Sequence, residues 1–112
     1  GGEIQRVKLA KELAKRASSN TIYIFDEPTV GLNHQDIDKL LKIFHSLANK
    51  GHSLIIIEHN SEVIANSDYV IDIGPEAGEK GGEIIYSGPI KNFKSAKNRS
   101  STFKYISSLL KN

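Results

Sequence analysis

Hydrophobic and polar positions alternate with two periods along the chain. From Glu3 to Ala17, Ile4, Val7, Ala10, Leu13, Ala14 and Ala17 recur at the spacing of one helix face, and Ser18-Ser19-Asn20 breaks the pattern. Ile22-Tyr23-Ile24-Phe25 is short and wholly apolar, which predicts a strand buried on both sheet faces. From Asp36 to Asn49, Ile37, Leu40, Leu41, Phe44, Leu47 and Ala48 give the clearest helical stripe. Asn33 and Asp36 are placed to cap its start, and Gly51 to end it. A second buried strand is expected at Leu54-Ile55-Ile56-Ile57, then a short helix from Ser61 to Asn66 and a third strand from Tyr69 to Ile73, stopped by Gly74-Pro75. A glycine-rich turn (Gly78, Gly81, Gly82) leads to a fourth strand, Glu83 to Tyr86, closed by Gly88-Pro89. From Lys91 the chain is polar, and helical character returns near Tyr105 to Leu110. This alternation predicts an α/β architecture with a mostly parallel sheet flanked by helices, whose ligands gather at the carboxyl ends of the strands.

Composition narrows the function classes. The 112 residues amount to one small domain, and the net charge of +2 by itself points to neither nucleic acid nor membrane. No apolar run approaches the length of a bilayer span, and the absence of Cys excludes both a disulfide scaffold and thiolate zinc sites in this stretch. No signal peptide opens the chain, so a cytoplasmic setting is expected. Beginning Gly1-Gly2 with no Met anywhere, the chain reads as a piece of something larger. Its charge is uneven. Residues 1–90 carry nine basic and thirteen acidic side chains, whereas 91–112 carry six basic and none acidic, which reads as a solvated basic tail or as a contact for phosphates such as those of DNA.

Three places carry candidate chemistry. The first buried strand runs into Asp26-Glu27, adjacent carboxylates whose side chains point to opposite sides. One can hold Mg²⁺, a hard oxygen-seeking cation, and the other can orient or deprotonate an attacking water; two solvated acids opening a loop are the plainer alternative. The second strand ends in Glu58-His59, where a His can donate to a terminal phosphate or simply be satisfied by a backbone carbonyl. Glu58 points away from His59 and reads as structural, and His34, His45 and His52 read as surface residues. At the front, Gly1 and Gly2 precede a helix starting at about Glu3, so backbone N–H groups and the helix dipole are open to an anion.

In order, Gly1-Gly2-Glu3-x-Gln5-Arg6, then four apolar residues with Asp26-Glu27-Pro28-Thr29-x-Gly31-Leu32, then Glu58-His59, resemble the second half of an ABC-type ATPase domain. Glu58-His59-Asn60, the run from Ser67 to Gly78 and Gly81-Gly82-Glu83 narrow the resemblance to the UvrA family of excinuclease ABC proteins, from Gly1 to about Gly88. Ser100-Ser101-Thr102-Phe103-Lys104-Tyr105-Ile106 is similar to that family's Ser-x-Thr-Gly-x-Tyr-Leu, with Phe103 where Gly is usual.

The resemblance implies a partial P-loop NTPase fold lacking its P-loop half, with residues 1–90 as the C-terminal part of a nucleotide-binding domain and 91–112 as a basic tail. It further implies a DNA-repair ATPase whose ATP is sandwiched between two halves. Asp26 would hold Mg²⁺, Glu27 would act on the water and His59 would donate to the γ-phosphate. Gly1, Gly2 and Glu3, as signature motif, and Val30, Gly31, Leu32 and Asn33, as D-loop, would complete the nucleotide site. ATP and Mg²⁺ are the cofactors so implied, with zinc only elsewhere in a full-length protein. The implied partners are a second ATPase half or homodimer partner, damaged double-stranded DNA and, downstream, a UvrB-like protein, with no membrane. With the P-loop absent, this stretch alone is expected to be inactive. Two rival readings are the ATPase component of an ABC transporter and a non-hydrolytic half-domain acting as a DNA-binding or scaffold module.

Overall fold

The computed structural model describes residues 2–16, 20–74 and 82–110, without the side chains of 2–6 and 16. Gly1, Pro75, Gly78, Gly81 and the rest of the stretch between Gly74 and Gly82 lie outside the described residues, as does Lys111. Packing divides the chain into two compact units, Gly1–Glu58 and His59–Asn112, and the boundary expected at residue 90 falls inside the second.

The first unit is built from α1 (Gly2–Arg16), β1 (Ile22–Asp26), α2 (His34–Asn49) and β2 (Ser53–Ile57). β1 and β2 pair in parallel, from Ile22 opposite Ser53 to Asp26 opposite Ile57, and α2 supplies the long connection that parallel pairing requires. Asn33 caps α2, its side chain accepting the Asp36 N–H at 2.8 Å. Ile37, Leu40, Phe44 and Leu47 form the buried stripe of α2, where Leu40 and Phe44 meet Ala10 of α1 and Phe25, Leu54 and Ile56 of the sheet. Gly51 follows the helix at φ +93°, a left-handed conformation that L side chains rarely adopt. Nothing lies within 4 Å of a Cβ built there, so Gly51→Ala meets backbone strain without a clash. It is expected to cost about 1 kcal/mol, measurable by denaturant unfolding.

Two expectations about this unit are corrected. The strands are not buried on both faces: only the face toward the helices is covered, while Ile22, Ile24, Ile55 and Ile57 are each more than half exposed. An apolar run fixes that a strand can be buried twice, not that the described residues supply both covers. His52 is not a surface residue. It is 5% exposed, its Nδ1 accepts the Thr21 N–H at 3.1 Å, and it meets the Tyr23 ring edge-on.

The second unit holds α3 (Ser61–Ala65), β3 (Tyr69–Ile73), β4 (Ile84–Pro89), a 3₁₀ helix (Ile90–Ala96), α4 (Ser101–Ile106) and a closing 3₁₀ turn (Ser107–Leu109). β3 and β4 pair antiparallel, so the described strands form two small sheets, one parallel and one antiparallel, in place of a mostly parallel sheet. The connection from Gly74 to Glu83 is shorter than the dozen or so residues a parallel crossover needs. Gly88-Pro89 does not close β4 early but lies within it. The basic segment is folded as well: Phe93, Ala96 and Ile106 are fully buried with Val70, and the Ser100 hydroxyl donates to the Asp72 carboxylate. Ser100 also caps α4 by accepting the Phe103 N–H at 2.9 Å. Lys91, Lys94, Lys97, Arg99 and Lys104 are all exposed on this packed backbone.

Candidate functional site

The carboxyl end of β1 leads into a compact turn that reaches α2. Asp26, the last strand residue, is exposed on the same side as Ile22 and Ile24, as the strand's alternation dictates. Glu27 is half-buried. Its N–H extends the ladder by one more bond, donating to the Ile57 carbonyl at 2.8 Å, but its backbone turns left-handed at φ +50°. Few residues other than Gly, Asn and Asp adopt that region, so surrounding contacts must hold Glu27 there. The Val30 N–H returns to the Glu27 carbonyl at 3.3 Å, and the Leu32 N–H to the Thr29 carbonyl at 3.0 Å. Pro28 and Thr29 are buried, Val30, Gly31 and Asn33 exposed, and Leu32 half-buried against the α2 core.

Thr29 is fixed by the residue that follows β2. Its N–H and its hydroxyl both donate to Oε2 of Glu58, at 3.2 and 2.8 Å. This Thr29–Glu58 pair is not among the functional residues that sequence reasoning selects. The available signal is the carboxylate placed directly after the second apolar run. Beside the turn, Leu9, Leu13, Ile24, Pro28 and Leu40 line an apolar groove together with Asp26.

The structure gathers Asp26, Glu27, Val30, Gly31, Leu32 and Asn33 in this single segment of the first unit. His59 opens the second unit, exposed, and is followed by Asn60, whose side chain caps α3 by accepting the Val63 N–H at 3.1 Å. Of the expected anion-binding front, Gly2 begins α1, Gly1 lies outside the described residues, and so does the Glu3 side chain.

Among the described residues, no group of three or more His, Asp or Glu side chains could cage a metal ion. An exposed carboxylate such as Asp26 nevertheless fits Mg²⁺, which keeps several waters and usually takes one or two carboxylates alongside substrate phosphates. Among the same residues, no helix is long and apolar enough to cross a membrane.

No family model matches the chain. Curated proteins do. The chain is 53% identical over 111 residues to UvrABC system protein A of Bradyrhizobium diazoefficiens, covering 99% of this chain and 11% of that protein. It is 50% identical over 111 residues to UvrABC system protein A of Rickettsia bellii, covering 99% and 12%. Among solved structures, UvrA2 from Deinococcus radiodurans superposes with a TM-score of 0.79 at 37% identity, covering 92% of this chain and 12% of that one. Likeness of this extent, with an α/β fold in common, assigns the chain to the proteins of the UvrABC system. Within that system it belongs to the UvrA family, and it spans about a ninth of the length of the curated relatives it matches.

Proposed function

We propose that this segment forms the hydrolytic edge of an ABC-type nucleotide-binding domain in a DNA-repair ATPase, which couples ATP binding and hydrolysis to recognition of damaged duplex. The observation that carries the reading is the pair of carboxylates at the carboxyl end of β1, one exposed and one held in a strained turn, within a chain half identical to UvrABC system protein A.

In this reading the frame is that of a P-loop NTPase whose P-loop lies elsewhere in the full-length protein. Asp26 would hold Mg²⁺, which when bound would supply charge neutralisation at the nucleotide phosphates. Glu27, in the turn that follows the strand, takes or orients the proton of the attacking water. His59 donates a hydrogen bond to the γ-phosphate. Val30, Gly31, Leu32 and Asn33 form the loop facing the other ATPase half, which is either the second half of the same chain or a homodimer partner. Gly1, Gly2 and Glu3 serve the ATP bound by that other half, the last two through the dipole of α1, which they open. Damaged double-stranded DNA is the substrate surface, and a UvrB-like protein takes over downstream. The setting is the cytoplasm.

The reading is tested by binding the full-length protein to ultraviolet-irradiated and to undamaged duplex, with ATP and with a non-hydrolysable analogue. A preference for irradiated DNA that changes between the two nucleotides is expected. Equal binding to both duplexes under every nucleotide condition overturns it.

A further inference from the structure

Glu27 holds a backbone conformation that its own side chain does not favour, so whatever fixes the turn also fixes the carboxylate. Two contacts, one from the last residue of β2 and one from the residue after it, do this. The Ile57 carbonyl accepts the Glu27 N–H at 2.8 Å, and the next residue, Glu58, accepts both the N–H and the hydroxyl of Thr29 on a single oxygen. The span between the two anchor points contains Pro28, whose ring fixes its own φ, so the turn has little freedom once Thr29 is held. Bonds to an ionised carboxylate are stronger than neutral ones, and Thr29 is only 8% exposed, which leaves water little room to replace the acceptor.

We propose that Glu58 is a positioning residue: through Thr29 it sets the angle at which the Glu27 carboxylate meets the attacking water. The inference rests on the reading of Glu27 as the group that acts on that water. Glu58 touches no reacting atom in this scheme. Its effect is expected chiefly on turnover, because the acceptor it gives Thr29 sets the aim of Glu27.

The experiment uses the full-length protein with Glu58→Ala, Glu58→Gln and Thr29→Val, and with Glu27→Gln alongside. Steady-state ATP hydrolysis is measured together with equilibrium binding of a non-hydrolysable ATP analogue. Glu58→Ala is expected to lower kcat about tenfold or more with analogue affinity within about twofold of wild type, since an orientation lost at the reacting centre falls on kcat. Glu58→Gln keeps an acceptor oxygen of the same reach and is expected to recover kcat to within about threefold of wild type, with Thr29→Val falling between. If Glu27→Gln abolishes turnover but Glu58→Ala stays within about twofold of wild type, the positioning role falls and the reading of Glu27 stands. If Glu27→Gln itself hydrolyses ATP at close to the wild-type rate, that reading falls and this inference with it. Parallel loss of kcat and analogue affinity in Glu58→Ala and Glu58→Gln makes Glu58 merely structural and overturns the proposal. Should Glu58→Ala fail to fold, Thr29→Val decides: a several-fold kcat loss at unchanged affinity supports the role, and unchanged kcat overturns it.

Discussion

Glu27→Gln in the full-length protein is expected to hold ATP while lowering its turnover by about a hundredfold or more, the usual scale for removing a general base. Gln has nearly the same volume and keeps one acceptor oxygen, so nucleotide contacts are preserved, but it takes no proton from water. The exchange is also conformationally neutral. Both side chains meet the same left-handed backbone at φ +50°, and the Glu27 N–H bond to Ile57 is a backbone bond that survives it. The melting temperature should therefore be unchanged while phosphate release collapses, and slow exchange of bound nucleotide should accompany it. Phosphate release within a few-fold of wild type would remove Glu27 from the chemistry.

The second large effect concerns stability. Phe93 is completely buried, with the Tyr86 ring at 5.0 Å and the Phe103 ring at 5.4 Å, and it packs with Val70, Ala96 and Ile106. Phe93→Ala removes most of that contact and leaves a cavity that rigid neighbours fill poorly, at a cost of about 3–5 kcal/mol. Lys94→Ala, one residue along but exposed, should stay within about 0.5 kcal/mol. Amide hydrogen exchange in the full-length protein checks both. Protection of the β3 and β4 amides should fall by about a hundredfold or more in Phe93→Ala and hold in Lys94→Ala. Unchanged protection in Phe93→Ala would mean that residues 90–106 contribute no core.

That core shows where the sequence is readable and where it is not. Elements with a strong period are legible: α2 announces itself through its stripe at Ile37, Leu40, Phe44 and Leu47, together with its Asn33 cap and Gly51 stop. The pairing of the strands is less so, because an apolar tetrapeptide states its appetite for burial but not the neighbours on either side. Ile24 and Ile55 read as core and are exposed. The basic segment misleads for the opposite reason. Phe93, Ala96, Ser100, Phe103 and Ile106 do recur at helical spacing, but a small residue and a hydroxyl dilute the stripe, and the interleaved lysines dominate the composition. In the candidate site, the chemistry-bearing types at strand ends are legible, since Asp-Glu after four apolar residues is visible in one dimension. Thr29 and Glu58 are not, because residues so far apart in the chain meet only once β1 and β2 are in register.

The left-handed backbone at residue 27 sets two selective demands against each other. For the turn alone, glycine would be the relaxed choice, and asparagine a tolerable one. For the proposed reaction neither will serve, because only a carboxylate of this reach can meet the water. A sequence optimised for thermal endurance would drift away from Glu at this position, and one optimised for turnover would be held to it. The residue therefore marks a point where stability and activity trade against each other, with an exchange rate of about 1 kcal/mol.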